Sequence, residues 1–147
     1  MRSSFEIRVA IVFGAPCKFL SCFSALPLER GAHAFARLAS LDAGTRVVSA
    51  MRSHPDLLRG PVAADVLLIR ALEGWVAKGG AEGLFCAASA DGLGIALKVV
   101  DGAFRPIQPA LAHFLSLLGL YTSALGPNEV ENSLGEPVGE LRVAEPV

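Results

Sequence analysis

Two Asp-Gly pairs, Asp91-Gly92 and Asp101-Gly102, bracket the run Ile95-Ala96-Leu97-Lys98-Val99-Val100, and this punctuation restricts the fold more than any other feature of the chain. Asp-Gly supplies the left-handed backbone conformations that tight hairpin turns require. Upstream lie two further short apolar runs, Trp75-Val76-Ala77-Lys78 and Leu84-Phe85-Cys86-Ala87-Ala88. The spacing predicts three strands, over 75–78, 83–89 and 94–100, paired as an antiparallel meander. All three read as apolar on both faces, the pattern of a sheet covered by helices on both sides. The expected fold class is therefore α/β in the layered α+β sense, a three-stranded antiparallel meander covered by helices.

Before Gly74 the period is that of a helix. Ala32, Phe35, Ala36, Leu38 and Ala39 recur at three-to-four spacing, with Pro27 near the start and Asp42-Ala43-Gly44 after the end. A second helix is expected to start at Thr45, whose hydroxyl can cap it, and to stop before Pro55. Gly60-Pro61 marks a turn, and Ala63–Leu72 reads as a third helix with Val66, Leu67 and Ile69 inward. After the strands, Ile107–Leu120 is expected to return as a helix across one face of the sheet. Residues 1–24 resist assignment, apart from a short strand over Val9–Phe13, and an aberrant start is expected there.

Composition excludes several function classes. A net charge of -1, a pI near 6.3 and the absence of any Lys/Arg-rich run leave no electrostatic footprint for nucleic acid. A 52% hydrophobic content and a mean hydropathy of +0.50 raise the question of membrane segments. Residues 107–128 contain no Asp, Glu, Lys or Arg, but Pro106, Pro109, Gln108, His113, Ser116 and Gly119 interrupt them. A buried helix is expected rather than a span. Val9–Leu28 imitates a secretory signal, yet Lys18 breaks its apolar core and Glu6 sits in its basic head. No membrane association and a cytoplasmic location are the expectations. Cys17, Cys22 and Cys86 form no disulfide framework, and Cys17, Cys22 and His33 are too few for a zinc site.

The segment Lys78-Gly79-Gly80-Ala81-Glu82-Gly83 places one of the three lysines at a strand end directly before two glycines. A lysine there can reach an anion or a nucleophile, and glycine allows close approach of a backbone or a ligand. The plainer reading is an exposed strand-end lysine. Lys98, in mid-strand, reads as a snorkelling or ion-paired side chain, and His54 before Pro55 as a turn residue. Glu82 is either a solvated turn residue or a partner for a lysine. His33 and His113 read as structural.

These pieces together carry a resemblance. Ala34-Phe35-Ala36-Arg37-Leu38-Ala39, Met51-Arg52-Ser53-His54-Pro55, Ala77-Lys78-Gly79-Gly80-Ala81-Glu82-Gly83 and Gly92-Leu93-Gly94-Ile95-Ala96-Leu97-Lys98-Val99-Val100-Asp101-Gly102 are similar, in order and nearly without gaps, to the rhizobial-type L-asparaginases. A strand-end lysine followed by two strands and a long helix also resembles the penicillin-recognising serine hydrolases, whose fold that asparaginase family shares. The resemblance covers about residues 25–119. It implies hydrolysis of L-asparagine to L-aspartate and ammonia through a serine acyl-enzyme, with a Ser-x-x-Lys tandem supplying nucleophile and base.

Lys78 matches the family's strand-end lysine. Its implied catalytic role is to tune a second serine and to hold the proton network or the substrate carboxylate, with Gly79 and Gly80 as substrate-binding backbone beside it. No Ser-x-x-Lys occurs here, because Lys18, Lys78 and Lys98 follow Ala15, Trp75 and Ile95 by three positions. Zinc occurs in the family, but if Gly14-Ala15-Pro16 is its Gly-x-Pro, the ligand positions fall on Ile11 and Phe13. Three divisions follow: residues 1–24, an asparaginase-like part over 25–125 and a polar tail over 126–147. The expected function is an asparaginase-type amidohydrolase lacking its nucleophile, and the alternative is a non-catalytic small-ligand-binding or association module. A homodimer is compatible with either.

Overall fold

The computed structural model describes the backbone of Ile7–Phe13 together with residues 26–120, 122–126 and 128–144. Cys17, Cys22, Lys18 and Gly14-Ala15-Pro16 lie outside the described residues. Strand β1 (Ile7–Phe13) is followed by helices α1 (Leu28–Ala36), α2 (Asp42–Ser53), α3 (Asp56–Arg59) and α4 (Ala64–Ala71). Strands β2 (Val76–Gly79), β3 (Leu84–Ala88) and β4 (Leu93–Val99) come next, then helix α5 (Ile107–Leu117) and the strands β5 (Asn128–Glu131) and β6 (Pro137–Leu141).

The expected meander forms. β2 pairs antiparallel with β3 and β3 with β4, in the registers Lys78↔Cys86 and Cys86↔Ala96. β1 adds a fourth strand beside β4, giving the sheet order β1-β4-β3-β2. β2 is thus an edge strand. The polar tail folds back as a separate two-stranded hairpin of β5 and β6.

Strand alternation divides the sheet into two packed faces. Ala77, Phe85, Ala87, Leu93, Ile95, Leu97 and Val99 point to the larger core, where Leu68 and Ile69 of α4 and Ile107, Leu111 and Leu115 of α5 meet them. Cys86 and Ala96 point the other way, to Ala32 of α1. The second interface is built of small side chains, so α1 lies close to the sheet. A Cβ at Gly94 would stand 2.2 Å from the Ala32 carbonyl oxygen and 2.8 Å from the Ala36 Cβ.

The helices begin and end for local reasons. α2 starts at Asp42, earlier than expected, and Thr45 lies inside its first turn, where Thr45 Oγ1 donates to the Leu41 carbonyl at 3.2 Å. The hydroxyl therefore back-bonds instead of capping, and Asp42 places its negative charge at the helix start, where the macrodipole favours it. His54 closes α2 and Pro55 opens α3, as the turn reading of His54 requires. In α4, Leu68 is fully buried beside Val66, whereas Leu67 is only partly buried. α5 stops at Leu117 in a Schellman closure, with Gly119 at φ 73°, Leu120 N–H donating to Leu115 O at 2.8 Å and Gly119 N–H to Ser116 O at 3.0 Å. Among the described residues no helix is long and apolar enough to cross a membrane.

The close α1 contact predicts that Gly94→Ala destabilises the fold by about 1–3 kcal/mol, since the clash at 2.2 Å is with backbone. Gly31→Ala, whose Cβ would stand 3.4 Å from Cys86 Sγ, should be neutral or gain up to about 1 kcal/mol from helix propensity. Urea unfolding of both variants checks the pair, and equal midpoints would contradict the packing. Burial pushes the Cys86 thiol up from 9.0 to about 11, so the folded state holds this proton more tightly than the unfolded chain. Its stabilising contribution is complete below pH 9 and declines as the pH rises from 9.0 to about 11. At pH 11, where the folded thiol is half ionised, wild type should have lost ~2 kcal/mol relative to Cys86→Ala, at 1.4 kcal/mol per pK unit. Urea unfolding of both proteins at pH 8 and pH 11 measures it.

Candidate functional site

β2 ends at the edge of the sheet, and an edge strand exposes N–H and C=O groups that need partners. At Gly79 both are supplied by side chains. Gly79 N–H donates to Asp65 Oδ2 at 3.0 Å, and the Gly79 carbonyl accepts from Lys78 Nζ at 2.7 Å. The edge is therefore closed by a carboxylate on one group and an ammonium on the other.

Asp65 is the residue that sequence reasoning missed. It stands in the first turn of α4, is fully buried, and also accepts from Val66 N–H at 3.1 Å. A buried carboxylate needs hydrogen bonds and compensating charge. Two backbone donors, the start of a helix and Lys78 Nζ at 4.0 Å provide them. Its only sequence signal is an acidic residue opening an otherwise apolar helix, which reads equally well as a solvated first-turn charge.

Lys78 is held by its neighbours without being covered. Its side chain remains 42% exposed. An ammonium carries three donors, and one is used on the Gly79 carbonyl. The remaining donors can serve a ligand at the strand end.

The glycines after Lys78 contribute space more than donors. Gly79 N–H is used on Asp65, and Gly80 N–H donates to Leu84 O at 2.7 Å. A Cβ at Gly79 would stand 2.1 Å from Arg59 Nη1 and 3.2 Å from Phe104 Cε1. Arg59 thus fills the place where a side chain would be. Its guanidinium carbon lies 3.8 Å from the centroid of the Phe104 ring, a cation–π contact. Neither residue stands out in the sequence, because the contact joins the end of α3 to the segment before α5.

Beyond Arg59 and Phe104 opens a cleft of about 550 Å3, reaching to Gln108 of α5 and to Asn128, Glu129 and Glu131 of β5. Neither this cleft nor a larger one of about 700 Å3 between α2 and α4 is lined by Lys78 or Asp65. On the other side of the strand end, Glu82 has a positive φ of 56°, and its carbonyl accepts from Lys98 Nζ. Lys98 is thereby fastened to the loop and does not join Lys78. His33, on α1, and His113, exposed on α5, take no part in this arrangement. Among the described residues no three His, Cys, Asp or Glu side chains come together as a metal site.

The arrangement can present positive charge to an anionic or polarised ligand at the end of β2. The sequence model of the L-asparaginase II family matches residues 20–143, which include every residue of this site. No curated protein matches the chain significantly.

Removing the Asp65 carboxylate leaves the Gly79 N–H buried without a partner and Lys78 without its counter-charge. Asp65→Ala should therefore lower stability by about 1–3 kcal/mol, with Asp65→Asn in between because its amide oxygen can still accept. Denaturant midpoints test this, and an Asp65→Ala midpoint equal to that of wild type would contradict the edge-closing role.

Proposed function

The chain belongs to the L-asparaginase II family, and from that membership we propose that it carries one wall of an amide-hydrolysing site built on Lys78, with Gly79 and Gly80 beside the substrate. The observation that carries the reading is the placement of Lys78 Nζ, anchored 2.7 Å from the Gly79 carbonyl and 4.0 Å from the buried Asp65, with its side chain 42% exposed. A fixed, charge-compensated ammonium at a strand end is what a proton network around a serine nucleophile needs. It can donate to a serine oxygen and orient it while the amide carbonyl is attacked.

The substrate on this reading is the side-chain amide of a small amino acid, L-asparagine, and the products are L-aspartate and ammonia. Attack by a serine hydroxyl forms an ester to the enzyme and expels ammonia, and water then releases the acid. The nucleophile and its base belong to a Ser-x-x-Lys tandem that this sequence does not contain. The chain alone therefore holds and polarises but does not turn over. Leu57 at 84% exposure and Val62 at 81%, on either side of Arg59 in the chain, support association with a segment that covers this face.

The expected result is no ammonia release from L-asparagine by the 147-residue chain above a Lys78→Ala control. Mixing it with a family segment that carries Ser-x-x-Lys should produce release, and Lys78→Ala should abolish it. Turnover by the chain alone, lost in the control, would overturn the inactive-wall reading. Complementation indifferent to Lys78→Ala would overturn the role of Lys78.

A further inference from the structure

The β5–β6 hairpin has little within itself to hold it in place. Its strands pair only with each other, residues 133–140 are all exposed, and a two-stranded hairpin alone is marginal in water. The base is anchored, because Leu125 is fully buried and Asn128 Nδ2 donates to the Leu125 carbonyl at 3.2 Å. The tip is a self-contained turn, in which Asn132 Oδ1 accepts from Leu134 N–H at 2.9 Å and from Glu136 N–H at 3.0 Å. The register is unfavourable between them. Glu129 stands opposite Glu140, and like charges facing across a ladder destabilise it, an effect that the Arg142–Glu140 ion pair only offsets in part.

The compensating charge lies across the cleft of about 550 Å3. Four charged side chains line that space: Arg59 and Arg105 on the wall that includes Phe104, and Glu129 and Glu131 on β5. The two walls are therefore opposite in sign. Neither Glu129 nor Glu131 is ion-paired among the described residues, and Arg59 is not either. The Phe104 ring, 3.8 Å from the guanidinium carbon, keeps Arg59 on its wall.

We propose that the β5–β6 hairpin is a flap over this cleft, drawn towards it by the attraction of Glu129 and Glu131 to Arg59 and Arg105. The buried Leu125 is its fixed end, and the exposed tip is its moving end. Pairs between exposed charges are individually weak and screened by salt, so the flap is held loosely enough to open. It governs entry to the cleft and stands independently of the amide-site reading.

Hydrogen exchange of the full chain, read by mass spectrometry over residues 128–141 with residues 84–99 as internal control, tests the flap. Raising NaCl from about 20 mM to about 1 M cuts the screening length to about 3 Å. Exchange over 128–141 should then quicken at least about threefold, with the meander unchanged. At low salt, Glu129→Gln combined with Glu131→Gln should reach the same faster rate and lose the salt response, and Arg59→Gln combined with Arg105→Gln should do likewise. The reversed pair Arg59→Glu with Glu131→Arg should recover part of the protection.

The sign of the response separates a flap from a hairpin that stands alone. Salt and Glu129→Gln both relieve the Glu129–Glu140 repulsion, so an independent hairpin would exchange more slowly under either. Slower or unchanged exchange over 128–141 therefore overturns the proposal. Equal acceleration of the meander in the glutamate variant also overturns it, because the hairpin then does not move by itself. Acceleration by the glutamate variant with none from a folded arginine variant excludes the cleft cations as its partners and overturns it too. Should the arginine variant fail to fold, the exposed glutamates and the sign of the salt effect decide alone.

Discussion

The buried carboxylate of Asp65 is the contact on which the strand end depends. It joins α4 to the open edge of β2 by accepting the Gly79 N–H at 3.0 Å. It also balances the ammonium that caps the neighbouring carbonyl. A sheet edge is normally blunted by charge or covered by another element. Here one acidic side chain does both, and it stands 4.0 Å from the Lys78 ammonium. The same contact thus closes the sheet edge and compensates the Lys78 ammonium.

A second constraint comes from the other face. Ala32, Ala36, Gly94 and Ala96 let α1 approach the sheet until a single methyl group would collide with backbone. On the opposite face, α4 and α5 pack larger side chains around Phe85, Ile95 and Leu97. The sheet therefore has a close side and a bulky side. α4 belongs to the bulky side, and the core contacts of Leu68 and Ile69 fix the distance at which Asp65 meets β2.

The sheet was legible because its information is local. The Asp-Gly turns and the alternation of Phe85, Ala87, Ile95 and Leu97 locate each meander strand to within a residue or two, and Pro55 and Gly119 mark helix ends. Thr45 misled because Ser and Thr hydroxyls serve equally as caps or as back-bonding groups inside a turn. Its bond to Leu41 is decided by where the chain enters the helix. Of the candidate site, sequence pattern alone points to Lys78, Gly79 and Gly80, through residue type and position. Asp65, Arg59 and Phe104 come from α4, α3 and the segment before α5, and their convergence on Gly79 is a product of tertiary packing that no local pattern displays.

The contact between Gly79 and Arg59 also restricts how such a chain can change. With Arg59 in place, any side chain at position 79 meets the guanidinium at 2.1 Å. Replacement of the glycine therefore shifts the flexible end of the arginine or accompanies its shortening. Once the arginine is gone, the vacated volume is open to a larger residue at 79. The two positions are thus coupled in sequence space, although nineteen residues of chain lie between them.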